Sequence, residues 1–149
     1  MPVSIEIDGL EEVQRKFAGF PMQYNKAERK TLEASLMTIH EQIPPYPTAL
    51  STSRYKRTGT LGRSIGANMS GGKSGKPEIY MVKQGGKYSE ASFGTRLHYA
   101  PKVIGEYQDP FFAGRGWWNI KQVADFAKGK IERLWQIMAD ELANWLDGR

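Results

Sequence analysis

Eight apolar residues late in the chain recur at spacings of three and four: Ile120, Val123, Ala127, Ile131, Leu134, Met138, Leu142 and Trp145. A helix of 3.6 residues per turn brings such positions onto one face. Asn119 stands at the N-cap position, and Gln122 at the third helical position completes a capping-box pair. Gly129 interrupts this helix at a cost of about 1 kcal/mol relative to alanine. A one-faced helix must bury its stripe against another layer, which sets the first constraint on the fold.

A second stretch of the same kind lies near the start. Leu32, Leu36, Ile39 and Ile43 predict a helix from about residue 22 to residue 43, roughly 33 Å long at 1.5 Å per residue. Pro44, Pro45 and Pro47 end it, since none can donate a backbone hydrogen bond. Ahead of it, Leu10, Val13, Phe17 and Phe20 mark a shorter helical face. Gly19 and Pro21 are expected to break the two apart, as a C′ glycine and a helix-starting proline do.

Val3-Ser4-Ile5-Glu6-Ile7 alternates apolar and polar residues, the pattern of a short strand. Three further β-like runs cover residues 64–69, 78–83 and 90–94, joined by SGGKSGKP and QGGKYS. Residues 98–104 read as a helical turn interrupted by Pro101, and DPFFAGRGW reads as loop. The sum is an α+β fold in which a small antiparallel sheet packs against two long helices, N-terminal and C-terminal. One domain spans residues 1–149, long enough to bury a core without staples, with a flexible, exposed loop over residues 44–60.

Charge is distributed unevenly. Between Glu41 and Glu78 there is no acid, while Arg54, Lys56, Arg57, Arg63, Lys73 and Lys76 all fall there. The rest of the chain nearly balances, with 15 cations against 16 acids, so the net +5 is a property of the middle third. Such a block lies against something negative or is solvated. With no cysteine, disulfide scaffolds, thiolate metal sites and cysteine nucleophiles are excluded. No apolar run approaches the roughly 18 residues of a membrane span, and no secretory signal pattern is visible.

Catalytic patterns are missing. His40 and His98 lie far apart and lack carboxylates at ligand spacing, apart from Glu41 beside His40, so a core-edge role is expected for His40. SGGKSGKP fails as a phosphate loop: Pro77 follows Gly75-Lys76 where Ser or Thr is needed, and Ser70 replaces the first glycine. Glu11-Glu12 and Asp140-Glu141 are helical neighbours that do not face each other. No serine elbow or triad is present, and neither enzymatic activity nor a cofactor is expected. Trp135 and Trp145 are expected to pack in the core. Trp117 and Trp118 beside Arg115 suit base stacking or an interface anchor. Aromatics and cations are mostly separated along the chain, which favours packing or a protein interface over base stacking.

The segment SRYKRTGTLGRSI, residues 53–65, concentrates the basic charge around a Thr-Gly-Thr turn. Gly59 can take a positive φ without a Cβ clash, and Thr58 or Thr60 can cap one helical turn from Leu61 to Ser64. Leu61 and Ile65 then point inward, Arg57 and Arg63 outward. R-T-G-T-L-G-R-S-I resembles the T-G-x-L-x-x-S-I signature of the gene-product-10-like family of phage tail-completion, or head–tail joining, proteins. Ile-Asp-Gly-Leu-Glu-Glu-Val ahead of the first helix, and Ser92-Phe93-Gly94-Thr95 before His98-Tyr99-Ala100-Pro101-Lys102-Val103, are similar to further landmarks of that family. The chain departs from the pattern after Val103, where it reads Ile104-Gly105-Glu106, and at Pro110-Phe111-Phe112-Ala113-Gly114, where a second proline is missing.

The resemblance implies a virion structural protein at the head–tail junction of a long-tailed phage, made in the host cytoplasm. Its implied partners are other connector and tail proteins and further copies of itself in a ring, six being the first guess. From the basic block itself a weak, sequence-blind contact with packaged DNA is expected, and no membrane association is expected. Arg54, Tyr55, Lys56, Arg57, Arg63, Tyr99 and Trp117 are the candidate partner-binding residues, and Thr58, Gly59 and Leu61 the structural turn. The alternative is a small basic nucleic-acid-binding module using residues 54–76. A capsid-side minor protein stays within the structural class.

Overall fold

A computed structural model describes residues 10–47, 52, 58–67, 75–85 and 89–148. Its elements are α1 (Leu10–Glu41), α2 (Thr60–Ser64), β1 (Ile79–Lys83), β2 (Glu90–Gly94), α3 (Ala100–Ile104), α4 (Pro110–Ala113) and α5 (Ile120–Asp147). The two long helices pack against each other, and α1 also meets both strands of an antiparallel pair. This is the α+β layer arrangement expected from the two periodic stretches.

The helices run antiparallel, with the start of α1 beside the end of α5: Phe20 meets Trp145 at 6.4 Å between ring centroids. Lys16 Nζ also donates to the carbonyl of Leu146 at 3.3 Å. Val123, Ala127, Met138 and Leu142 of the predicted α5 stripe are buried, with Ile120, Ile131, Leu134 and Trp145 half-buried beside them. From α1, Leu32 and Leu36 enter the core, and Ile39 and Ile43 pack against its main cluster. Thr31 and Ser35 are buried on the same helix, and each hydroxyl donates to the carbonyl four residues earlier, so neither costs an unmade bond.

The expected break at Gly19 and Pro21 does not occur. α1 is one helix of 32 residues, about 48 Å long, with Pro21 inside it. Proline removes one hydrogen bond and crowds the carbonyl of Phe17. Phe17 lies on the exposed side, where water can take up that carbonyl. Gly19 is not a left-handed cap; its missing side chain admits Trp145, whose ring would lie 3.5 Å from a Cβ there. The helical face read from Leu10, Val13, Phe17 and Phe20 is also only partly used, since Val13 and Phe17 are 47% and 62% exposed. α5 ends opposite residue 16, leaving the first turns of α1 uncovered.

The sheet has two strands among the described residues, in the register Ile79↔Gly94 to Lys83↔Glu90. The predicted run 90–94 is reproduced. The run 64–69 is not a strand where described: Ser64 ends α2, Ile65 and Gly66 turn, and only Ala67 forms a bridge. Residues 3–7 lie outside the described residues. Pro101 does not interrupt the turn after His98; it occupies the first turn of α3, where a missing N–H costs nothing. The stretch read as loop at DPFFAGRGW contains α4, whose first turn is capped by Asp109 accepting from the Phe111 N–H at 2.9 Å.

Asn119 does more than its capping role required. Its Oδ1 accepts from the Lys121 N–H at 2.7 Å, and the Gln122 side chain returns to the Asn119 N–H at 3.3 Å. Its Nδ2 also donates to the Gly105 carbonyl at 2.6 Å and the Glu106 carbonyl at 3.1 Å, tying the end of α3 to the start of α5. Asn119→Ala is therefore expected to lower stability by the upper part of the range for a lost cap, about 2 kcal/mol. Denaturant unfolding with an unchanged m-value checks this.

Glu78, just before β1, accepts from the Arg96 N–H at 2.9 Å and from Thr95 Oγ1 at 3.0 Å. These bonds, the backbone one first, hold its carboxyl below the ordinary glutamate value. A folded value below the unfolded one contributes stability that is complete above the unfolded value. That contribution is lost as pH falls through the folded value. An NMR titration is expected to show Glu78 protonating below the ordinary glutamate range. Protonation at or above that range would mean that the clasp between β1 and residues 95–96 does not persist in solution.

Candidate docking surface

The Thr-Gly turn folds around a left-handed glycine. Gly59 has φ 72° and ψ 1°, a conformation that costs glycine nothing and a β-branched residue a great deal. Gly59 itself occupies the N-cap position, so neither threonine caps α2 as expected. Thr58 Oγ1 instead lies 3.0 Å from Thr60 Oγ1, and the Thr60 N–H reaches it at 3.5 Å. The Arg63 N–H donates to the Gly59 carbonyl at 3.0 Å and closes the turn. Leu61 and Ile65 are buried and Arg63 is exposed, as the pattern predicted.

What seats this turn is Tyr46, a residue that the reading of an exposed loop over 44–60 passed over. Tyr46 is only 6% exposed and belongs to the main core cluster with Leu61, Ile65 and Trp117. A Cβ on Gly62 would lie 2.5 Å from the Tyr46 ring, so α2 accepts that ring only because position 62 has no side chain. On its other side the Tyr46 ring stands edge-on to Trp117, 4.8 Å between centroids. The segment after α1 therefore enters through a buried aromatic at 46 and leaves through a rigid turn at 58–60. Within the stretch read as loop, Tyr46 is buried and Thr60 already belongs to α2, while residues 48–51 and 53–57 lie outside the described residues. An aromatic inside Pro44-Pro45-Tyr46-Pro47 was the available signal.

The candidate partner-binding residues divide accordingly. Arg54, Tyr55, Lys56 and Arg57 lie outside the described residues. Arg63 projects from the end of α2 beside the basic segment. Trp117 is a correction: at 6% exposure it supports the root of the segment from below and offers no ring to a partner. Tyr99 sits apart from the turn, half-buried at the start of α3 and edge-on to His98 at 5.5 Å. With Lys102, Val103 and Phe112 it lines a shallow cleft of about 240 Å³.

Around the turn, His40 Nε2 donates to the Gly66 carbonyl at 3.2 Å, in keeping with a core-edge position. Lys76 stands over the Tyr80 ring at 5.4 Å. Burial, and secondarily the nearby Glu33 carboxylate, push the Tyr80 phenol up. Among the described residues no group of three or more histidines and carboxylates is placed to hold a metal ion, and no helix is long and apolar enough to cross a membrane. Comparison with protein-family models, curated proteins and solved structures finds no match for this chain.

Two glycines therefore carry the surface for different reasons. Gly59→Val is expected to cost about 1–3 kcal/mol through backbone strain. Gly59→Asn is expected to retain most of the stability, because asparagine tolerates the left-handed region. Gly62→Ala is expected to displace Tyr46 and cost about 1–3 kcal/mol by overpacking, with a change in near-ultraviolet circular dichroism from the Tyr46–Trp117 pair. A Gly62→Ala protein with unaltered melting and unaltered aromatic signal would remove Tyr46 from this role.

Proposed function

We propose that this chain is a non-enzymatic virion structural protein that docks at the head–tail junction of a long-tailed phage. The resemblance at residues 57–65 supplies the identity of the assembly. The observation that supports docking is the anchored root: a segment carrying Arg54, Lys56 and Arg57 is held at one end by Tyr46 in the core and at the other by Gly59. A cationic segment between two such anchors suits docking against an acidic partner surface. Copies arranged in a ring need heterologous side-to-side contacts, and six copies follow from the resemblance. The acid-free interval of residues 42–77 favours a second reading, a small nucleic-acid-binding module.

Replacing Arg54, Lys56 and Arg57 together by glutamate separates assembly from folding. None of the three belongs to an apolar pattern, so stability is expected to stay within about 0.5 kcal/mol of the parent. The inverted charge repels an acidic partner surface. Infected cells carrying the variant are expected to accumulate filled heads and finished tails that fail to join, visible by electron microscopy. Normal infectious particles would remove the docking role. For the nucleic-acid reading the measurement is salt dependence, with a log–log slope near −0.9 per phosphate contacted. Binding that vanishes by about physiological salt is expected, as for any small basic segment. Sub-micromolar binding that persists there would favour the second reading.

A further inference from the structure

A second row of residues on α5 lies off the core. Phe126 and Ile137 belong to it, and they are 74% and 46% exposed. The row runs at spacings of four and three through Phe126, Lys130, Arg133, Ile137, Asp140 and Asn144, all of them exposed. On a helix of 3.6 residues per turn these positions form one seam about 27 Å long, roughly 110° round from the buried stripe. Gly129 borders the seam, and a Cβ there would meet nothing within 4 Å. Among the described residues no contact explains a glycine in mid-helix, where alanine would be better by about 1 kcal/mol.

The charges of α5 run against its own dipole. Carboxylates are favoured at a helix start and cations at its end, yet the first turn of α5 holds no acid and the last no base. Residues 120–133 carry four cations and two acids, whereas residues 134–147 carry three acids and no cation. Lys121 pairs with Glu106 and Lys128 with Glu132, but Lys130 and Arg133 make no ion pair among the described residues. Glu141 borders Lys26 and Lys30 of α1 across the groove between the helices. Asp140 accepts one bond, from Gln136 Nε2 at 3.0 Å, and faces no cation of its own molecule within ion-pair distance. A helix that is basic in one half and acidic in the other is complementary to itself when reversed.

We infer that two copies of the chain pair through this seam of α5, antiparallel, about a two-fold axis near residue 135. That alignment sets Arg133 of each copy opposite Asp140 of the other, so the pair forms twice. Ile137 lies beside its own counterpart at the axis, with the apolar stems of Arg133 along it. Phe126 lies over Asn144 at each end, and the space beside Gly129 admits the approaching helix. A parallel pairing would set the basic halves together, so the charge pattern selects the antiparallel one. The contact is isologous and complete with two copies, separate from the side-to-side contacts of a ring. One helix face about 27 Å by about 10 Å falls well below the roughly 800 Å² per partner of a standard stable interface. The pair therefore forms at high concentration and dissociates on dilution. It does not rest on the head–tail reading.

Sedimentation equilibrium of the full-length chain, from the micromolar to the millimolar range, tests this, and a reversible dimer is expected. Arg133→Glu and Asp140→Lys each set like charges opposite and are expected to weaken the dimer about tenfold or more, with unchanged melting curves. Mixing the two variants is expected to restore pairing, because each then meets its complement, and a folding defect could not produce that result. The absence of cysteine allows a second measurement. Position 137 lies beside its own counterpart, so a short bismaleimide is expected to link Ile137→Cys about tenfold more efficiently than Lys128→Cys, which lies across the helix from the seam. A chain that stays monomeric into the millimolar range overturns the inference. So does self-association that neither charge reversal weakens, which would place the contact elsewhere. A mixture that pairs no better than its components, or equal linking at positions 137 and 128, overturns it as well.

Discussion

The Tyr46 ring fills the space left by the absent side chain of Gly62, and much of the molecule is arranged around that contact. Tyr46 follows directly on the end of α1, Gly62 lies in α2, and Trp117 stands edge-on behind the ring at the approach to α5. One aromatic thus joins three parts of the chain that share no regular hydrogen bonding. Proline-rich backbone cannot contribute a ladder of bonds, so side-chain packing is what fixes the segment after α1. Gln108 does comparable work nearby, its amide reaching the carbonyls of Val103, Trp117 and Trp118. The irregular half of the fold is held by a few side chains, whereas the helical half is held by a continuous stripe.

That division decides what the sequence could disclose. The stripe from Ile120 to Trp145 is periodic, and every member of it is buried or half-buried. The Asn119 and Gln122 cap is local, and it forms as read. Gly59 takes its positive φ for a reason that lies in its own backbone. The misreadings come where a distant partner overrides a local signal. Gly19 and Pro21 look like a helix boundary until Trp145 packs against Gly19 and the helix runs on. Trp117 beside Arg115 looks like an exposed anchor until Tyr46 covers it. Arg115 turns instead to the Phe111 ring, 3.3 Å from its centroid, a pairing that needs α4 to exist first. Of the candidate contact residues, the turn was legible as structure, whereas Arg54, Tyr55, Lys56 and Arg57 lie outside the described residues.

The basic excess and the core do not mix. Of the six cations between Glu41 and Glu78, the two within the described residues, Arg63 and Lys76, are both exposed. They flank the place where the backbones of Ser64 and Glu78 meet. A nucleic-acid grip gains from aromatics set among its cations, since stacking adds to phosphate attraction. Here the nearby aromatics Tyr46 and Trp117 are committed to the core, and Tyr80 sits half-buried under Lys76. Among the described residues, Tyr46 and Trp117 thus offer Arg63 no stacking platform; Tyr55, inside the basic block, lies outside them.

The exposed start of α1 and the cleft beside β1 both follow from how the two long helices are placed. α5, at 28 residues, is shorter than α1, at 32, and the two helices are offset so that α1 overhangs at its start. Val13 and Phe17, near that end, are exposed, and so is Met37 in the cleft beside β1. Both leave apolar side chains exposed, at opposite ends of the same helix.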